Sequence, residues 1–345
     1  MQKNNIINIK KKVLLVLMNN RKKIFIFTAA YQEIGSGHLY RSKILGKILS
    51  KLKYKIKIFS FNKKNQDKIF CYLKYAIQNN ISVILDISNK FLFCSGFFLK
   101  KLKSNISSSK KKILIIDSLG KDSLKKYLKI KKLLTVIPYL TPKIKNKQFQ
   151  YSGTKYFIFN ENLKSIKNRK IHEIKNILIT FGGSDLKNST IKFAKFLLKN
   201  FPNKKVKVVV GPYFKKKQIK DIKRLKNLNT NLSISYYKDN FLKNINNSEI
   251  IITSTGLTKY ELCITNKHIV VYSDNKNNYS INKSFEKKNI TINLSFKDNN
   301  AKLKNIMKNL INNPIRFNDK IKNRKNFFDF KAPERILSII KKNEK

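Results

Sequence analysis

Residues 250–261 read Ile250-Ile251-Ile252-Thr253-Ser254-Thr255-Gly256-Leu257-Thr258-Lys259-Tyr260-Glu261. A short β-branched run, a turn carrying one glycine and the start of a helix follow in direct succession. The same order occurs twice upstream. After the run 24–28 comes Ile34-Gly35-Ser36-Gly37-His38-Leu39-Tyr40-Arg41, and after 177–181 comes Gly182-Gly183-Ser184-Asp185. Working outward, apolar runs at 24–28, 56–59, 83–86, 113–117 and 134–137 alternate with Lys-faced amphipathic stretches at 38–52, 64–79, 90–104 and 121–131. A second series has runs at 177–181, 206–210, 232–236, 250–253 and 269–272. Its helices are expected near 187–200, 214–228, 239–247, 257–265, 279–288, 298–313 and 332–343. Alternating strands and helices define βαβ units, and nearly continuous apolar strands need helices on both faces of a parallel sheet. The expected fold class is α/β, with two Rossmann-like doubly wound domains facing across a cleft. A ligand would sit at the carboxyl ends of the strands.

Between the two series, around 139–170, the periodicity weakens at Pro138, Pro142, a Lys/Asn/Gln run and Gly153. The expected division is an N-terminal extension at 1–22, a first domain at 23–150, a linker at 151–172 and a second domain at 173–345. The last helix is free to pack back on the first domain. Two domains suit 345 residues, because a single core stops growing near ~250–300. With 41% hydrophobic residues the chain has enough apolar material for packed cores, which excludes a disordered basic tail.

The 76 Lys and Arg against 19 Asp and Glu leave a net charge of +57, a balance that suits nucleic acid. Yet the excess is almost all Lys, spread through every segment beside Asn and Ile, with no RNA-recognition signature. It reads as a whole-composition bias laid over solvated faces, so no specific nucleic-acid partner is expected. Cys71, Cys94 and Cys263, and His38, His172 and His268, form no C-x-x-C or H-x-x-x-H pair. No zinc site is expected, and a reduced, cytoplasmic setting is favoured. The apolar run 13–18 is far shorter than the ~20 residues of a membrane span, so no transmembrane segment is expected.

The chain uses 10 Gly where average usage of ~7% would supply about 24, and five of them fall in the three turns. A strand-to-helix turn aims free N–H groups and the positive end of the helix dipole at one point. Glycine there lets a phosphate approach without a Cβ in the way. Gly35, Ser36, Gly37, Gly182, Gly183, Thr255, Gly256 and Thr258 are therefore phosphate-binding candidates. His38 stands at a helix start that disfavours the imidazolium, which suits a general base. Glu261 lies one turn beyond Thr258 on the same helix face, where a carboxylate can take both hydroxyls of a ribose. Asp185 or Ser184 can instead be a helix N-cap. His172 reads as a solvated residue and His268 as a structural one.

Taken together, Gly35-x-Gly37-His38-x-x-Arg41, Gly182-Gly183-Ser184-Asp185 and Ser254-Thr255-Gly256-x-Thr258-x-x-Glu261 resemble the family of the UDP-sugar hydrolase of pseudaminic acid biosynthesis. Relatives of that family include spore-coat polysaccharide biosynthesis proteins. More distantly the set is similar to the two-domain transferase that adds N-acetylglucosamine to the lipid-linked peptidoglycan precursor. The resemblance covers residues 23–295. It implies the glycosyltransferase B arrangement, a UDP-sugar in the cleft, no cofactor and no required metal. His38 matches the family's catalytic His, Gly35 and Gly37 its phosphate-side loop, and Thr255, Gly256, Thr258 and Glu261 its nucleotide-binding segment. Asn275 matches an Asn that approaches the sugar, and Arg41 is expected at the sugar or the departing diphosphate.

Two departures fall in the sugar half. The family's Asp-His-Tyr-Gly stretch reads Asp86-Ile87-Ser88-Asn89 here, and its Tyr-Ala-Leu-Ile-Arg segment reads Tyr156-Phe157-Ile158-Phe159-Asn160. The expected function is a nucleotide-sugar enzyme of surface-polysaccharide or nonulosonic-acid biosynthesis, hydrolysing a UDP-linked amino- or deoxy-sugar to free sugar and UDP with His38 as general base. The alternative is a glycosyltransferase moving the sugar to an acceptor hydroxyl. Peripheral membrane contact would then fall to the apolar stretch Phe91, Leu92, Phe93, Phe97, Phe98 and Leu99, which reads first as core helix packing.

Overall fold

Along β1 (Lys23–Ala29), Ile24 and Ile26 join one buried cluster while Phe25 and Phe27 join another, so both faces of the strand are covered. This is the period-2 side-chain alternation of a strand with helices above and below it. The computed structural model describes residues 22–29, 37–62, 65–87, 96–116, 133–140, 150–167, 169–237, 239 and 241–342. Around β1 lie β2 (Lys55–Phe61), β3 (Ser82–Asp86), β4 (Ile113–Ile116), β5 (Leu133–Ile137) and β6 (Gln150–Ser152). They pair in parallel in the order β2-β1-β3-β4-β5-β6. The second sheet is built from β7 (Asn176–Thr180), β8 (Lys205–Val210), β9 (Leu232–Tyr236), β10 (Ile250–Thr253), β11 (His268–Ser273) and β12 (Ile292–Ser295). It is also parallel, in the order β12-β11-β10-β7-β8-β9. Two doubly wound Rossmann-like domains result, as the alternation of runs and helices predicts.

The strand order reverses between β1 and β3 in one sheet and between β7 and β10 in the other. At such a switch the flanking loops leave in opposite directions and open a crevice at the carboxyl ends. Two strands escape the sequence pattern. β6 falls where periodicity had weakened, and β12 is a four-residue edge strand beside β11. The helix expected at 90–104 is described as Gly96–Ser107, and the one expected at 121–131 lies outside the described residues. The side chains of the aromatic stretch 91–99 also lie outside them.

The last helix, Ala332–Lys342, does not complete the second sheet. Its Ala332, Ile336, Leu337, Ile339 and Ile340 pack with Ile24, Ile26, Leu45 and Leu49, on the face of the first sheet that helix Gly37–Lys51 also covers. The chain therefore crosses between the halves twice, once after β6 and once before this helix. A third cluster joins Tyr139, Phe157 and Phe159 to Ile251, Val271 and Tyr260, so apolar packing also ties the halves together. Among the described residues no helix is long and apolar enough to cross a membrane.

Ile336 is fully buried in the first-domain core although it comes from the end of the chain. Ile336→Ala should lower stability by about 2–5 kcal/mol, read by urea unfolding, because the cavity opens beneath β1.

Candidate functional site

Helix α1 (Gly37–Lys51) begins on the β1 side of the first switch point, and Asp86 closes β3 on the other side. His38 Nδ1 lies 2.7 Å from Asp86 Oδ1. A carboxylate only accepts, so Nδ1 carries a proton, and in the neutral ring the lone pair is then on Nε2. Nε2 has no hydrogen-bond partner among the described residues, and the ring is 17% exposed while Asp86 is fully buried. Such a pair can accept a proton at Nε2 and stabilise the resulting imidazolium from the far side of the ring.

A buried carboxylate needs more than one partner. Arg41 Nε donates to Asp86 Oδ2 at 2.9 Å, its Nη2 donates to Oδ1, and Ser42 Oγ donates to Oδ2 at 3.2 Å. The guanidinium and its hydrogen bonds hold the Asp86 carboxyl well below the usual carboxylate range, against the upward push of burial. Arg41 Nη1 donates to the Tyr139 hydroxyl at 2.7 Å. Arg41 was expected at the sugar. Instead it is buried, with its planar fork spent on Asp86 and Tyr139.

Tyr139 carries the connection onward. Its ring meets Tyr260 edge-on at 5.3 Å, and Tyr260 stacks on Phe157 at 4.9 Å. Tyr260 belongs to α2 (Leu257–Leu262), the helix that follows the turn Ser254-Thr255-Gly256 at the second switch point. The two helix starts touch. A Cβ built on Gly37 would lie 2.8 Å from Leu257 Cδ1, so the absence of a side chain beside His38 lets the Leu257 side chain pack against the helix start.

Glu261 sits on this same helix, half-buried, with no hydrogen-bond or ion-pair partner among the described residues. Burial pushes its carboxyl up to about 7. Tyr40 from the first half and Tyr237 from the second are within electrostatic reach, and burial together with Glu261 raises both phenols. The Tyr40 hydroxyl accepts from Asn160 Nδ2 at 2.9 Å, which places the altered Tyr156–Asn160 segment beside the same group. His38, Tyr40 and Glu261 thus gather at the junction of the two sheets.

The remaining candidates are less alike. Thr255 Oγ1 accepts from Asn282 Nδ2 at 3.0 Å, and no described group accepts its proton. Gly182 takes φ +77° and Gly183 follows it. At that turn Asp185 accepts from the N–H groups of Ser189 and Thr190 at 2.9 and 2.8 Å, so the start of helix Ser189–Asn200 is already occupied by a carboxylate. Asn275, expected at the sugar, caps helix Lys276–Lys287 by accepting from Asn278 N at 2.9 Å, and donates to Asp274. Gly35 and Ser36 lie outside the described residues. His172 is exposed, whereas His268 is buried with its ring edge-on to Phe317.

No protein-family model matches the chain. An uncharacterised protein of Methanocaldococcus jannaschii is 29% identical over 288 residues, 74% of this chain and 56% of that protein. The chain thus spans little more than half the length of that relative. MurG of Acinetobacter baumannii is similar in structure, with TM-score 0.64 at 14% identity over 93% of this chain and 99% of that one. MnaA of S. aureus in complex with UDP gives TM-score 0.64 at 14% identity over 93% and 96%. The UDP-GlcNAc 2-epimerase of Neisseria meningitidis bound to UDP-GlcNAc gives 0.58 at 13% over 93% and 100%. At these identities the likeness establishes the fold, the two-domain Rossmann-like arrangement of the glycosyltransferase B type.

The raised carboxyl of Glu261 predicts a pH signature. The folded state holds a proton that the unfolded state has released between about pH 4.5 and 7, so this group's contribution to stability falls as pH rises through that window. Glu261→Gln should remove that loss. Its stability relative to the native chain should rise from pH 4.5 to 7 and level off above, as read by denaturant midpoints across the range.

Asp86→Ala should strand a buried guanidinium and cost about 3–5 kcal/mol of stability at neutral pH, measured by urea unfolding.

Proposed function

We propose that the chain is an enzyme acting on a UDP-linked sugar, and that it moves the sugar from UDP to an acceptor hydroxyl. One observation carries the reading. The His38–Asp86 pair meets the turn of Thr255 and the Glu261 helix where the switch points of the two sheets face each other, with Gly37 against Leu257. A base with its proton-accepting nitrogen unpartnered, beside a turn with a free hydroxyl donor and a free carboxylate, suits a nucleoside diphosphate linked to a reacting carbon. Further support comes from proteins of like fold, one in complex with UDP and one bound to UDP-GlcNAc.

In this reading the Glu261 carboxylate accepts from the ribose hydroxyls, which offset the cost of its burial. Thr255, Gly256 and Thr258 face the diphosphate from the second half. Gly37 faces it from the first, and Gly182 and Gly183 border it. Asn275 borders the sugar from its capping position. His38 Nε2 takes the proton of the attacking hydroxyl as its oxygen bonds to the anomeric carbon. The bond from that carbon to the diphosphate breaks, and UDP leaves with the electron pair. Asp86 holds the ring and offsets its new charge, while Arg41 holds Asp86.

Water in the acceptor's place turns the same machinery into the hydrolase that the sequence motifs suggest. The assay separates the two. Purified protein is offered UDP-linked amino sugars with and without lipid-linked or sugar acceptors, and UDP release is followed. UDP released only with an acceptor supports transfer; equal release in water alone replaces transfer by hydrolysis. His38→Ala should lower turnover by about 10²–10⁴-fold while UDP binding stays within about twofold. Undiminished turnover would remove His38 from the mechanism.

A further inference from the structure

Lys259 follows Thr258 in the sequence, yet its side chain is fully buried rather than solvated. Its ammonium lies 3.8 Å from the ring centre of Phe285 and 4.9 Å from that of Tyr260, and among the described residues no carboxylate pairs with it. The titratable groups facing it are the Cys263 thiol and the Tyr260 phenol, both held protonated by burial. Among the described residues its one hydrogen bond runs from Nζ to Asn282 Oδ1 at 2.9 Å. Burying an ammonium is costly, and its contacts with two aromatic faces offset only part of that cost.

The polarity of the next bonds gives the lysine a purpose. An ammonium can only donate, so it turns the Asn282 carboxamide with Oδ1 inward and Nδ2 outward. Nδ2 then donates to Thr255 Oγ1 at 3.0 Å and to Ser273 Oγ at 2.8 Å. The main-chain oxygen of Asn282 is itself held by Asn293 Nδ2 at 2.7 Å. Once Thr255 Oγ1 accepts from the amide, its proton is left to donate outward to a ligand oxygen. We propose that Lys259 and Asn282 are positioning residues that commit the Thr255 hydroxyl to donating to a phosphate group of the nucleotide.

The inference rests on the UDP-sugar reading above and adds to it. Burial lowers Lys259 to about 7; its charged form can only donate and fixes the orientation, and the neutral amine can still donate to Oδ1. A lysine used only to fill volume would need no such chain of directed donors. The sequence alone gave Lys259 the look of a solvated surface residue among many.

Two variants test the relay. Lys259→Met keeps the length and removes the donor, so the carboxamide is free to flip. Asn282→Asp keeps the shape and the bond to Lys259 but replaces the donor by an acceptor, which draws the Thr255 proton inward. Affinities for UDP and for uridine are measured by calorimetry, with circular dichroism to follow folding. Each variant should weaken UDP binding by about tenfold or more, the worth of a hydrogen bond to a charged group, while uridine binding stays within twofold. In a Thr255→Val background neither variant should weaken UDP further.

Unchanged UDP affinity in both variants would overturn the relay, as would an equal loss for uridine or a full additional loss in the Thr255→Val background. Native protein that binds neither UDP nor pyrophosphate would overturn the nucleotide reading together with the relay, an outcome distinct from the others.

Discussion

The Asp86 carboxylate, fully buried at the end of the third strand, is the constraint around which the rest is arranged. A lone buried carboxylate costs several kcal/mol, so its neighbours have to answer it. Arg41, Ser42 and His38, one turn apart on a single helix, do so together. That helix is thereby pinned in rotation and translation against the sheet. Through Arg41 and Tyr139 the same charge reaches Tyr260 on the helix of the other half. A continuous set of contacts thus leads from the imidazole of one domain to the helix bearing Glu261 on the other.

Topology places these groups where they can act together. Each sheet has one reversal of strand order, and each reversal opens a crevice at the carboxyl ends of its strands. The last helix, packed on the first domain after the chain has built the second, makes the halves interdependent. Gly37 then leaves room for Leu257, whose Cδ1 lies 2.8 Å from where a Cβ would stand. The electrostatics of the junction are uneven. Among the described residues Asp86 has several donors while Glu261 has none, so the first is held charged and burial raises the second.

Much of the fold was legible from the order of apolar runs and Lys-faced stretches, since a strand or helix is specified by spacing over a few residues. β6 and β12 were not, because three- and four-residue edge strands carry too few positions to show a period. The site was legible in part. His38, Thr255 and Glu261 stand in glycine-marked turns that catch the eye. Asp86 ended an apolar run and headed the altered Asp86–Asn89 stretch but was given no role, and Tyr139 gave no signal. Arg41 and Asn275 hold intramolecular partners that the sequence did not show. Both have side chains able to reach a sugar, but an unanswered carboxylate and an uncapped helix claim them first.

By itself the sequence determined two parallel α/β units, their strand-turn-helix junctions and the residues offered at each turn, all encoded within short windows. Only the tertiary structure decided which offers are taken up. Arg41 finds Asp86 across 45 residues and Tyr139 across 98. Lys259 is drawn from an apparently solvated position into an aromatic core beside Asn282. Partners so far apart are brought together by the packing of whole elements, and desolvation then makes each buried polar group depend on whatever donor or acceptor the fold has set beside it.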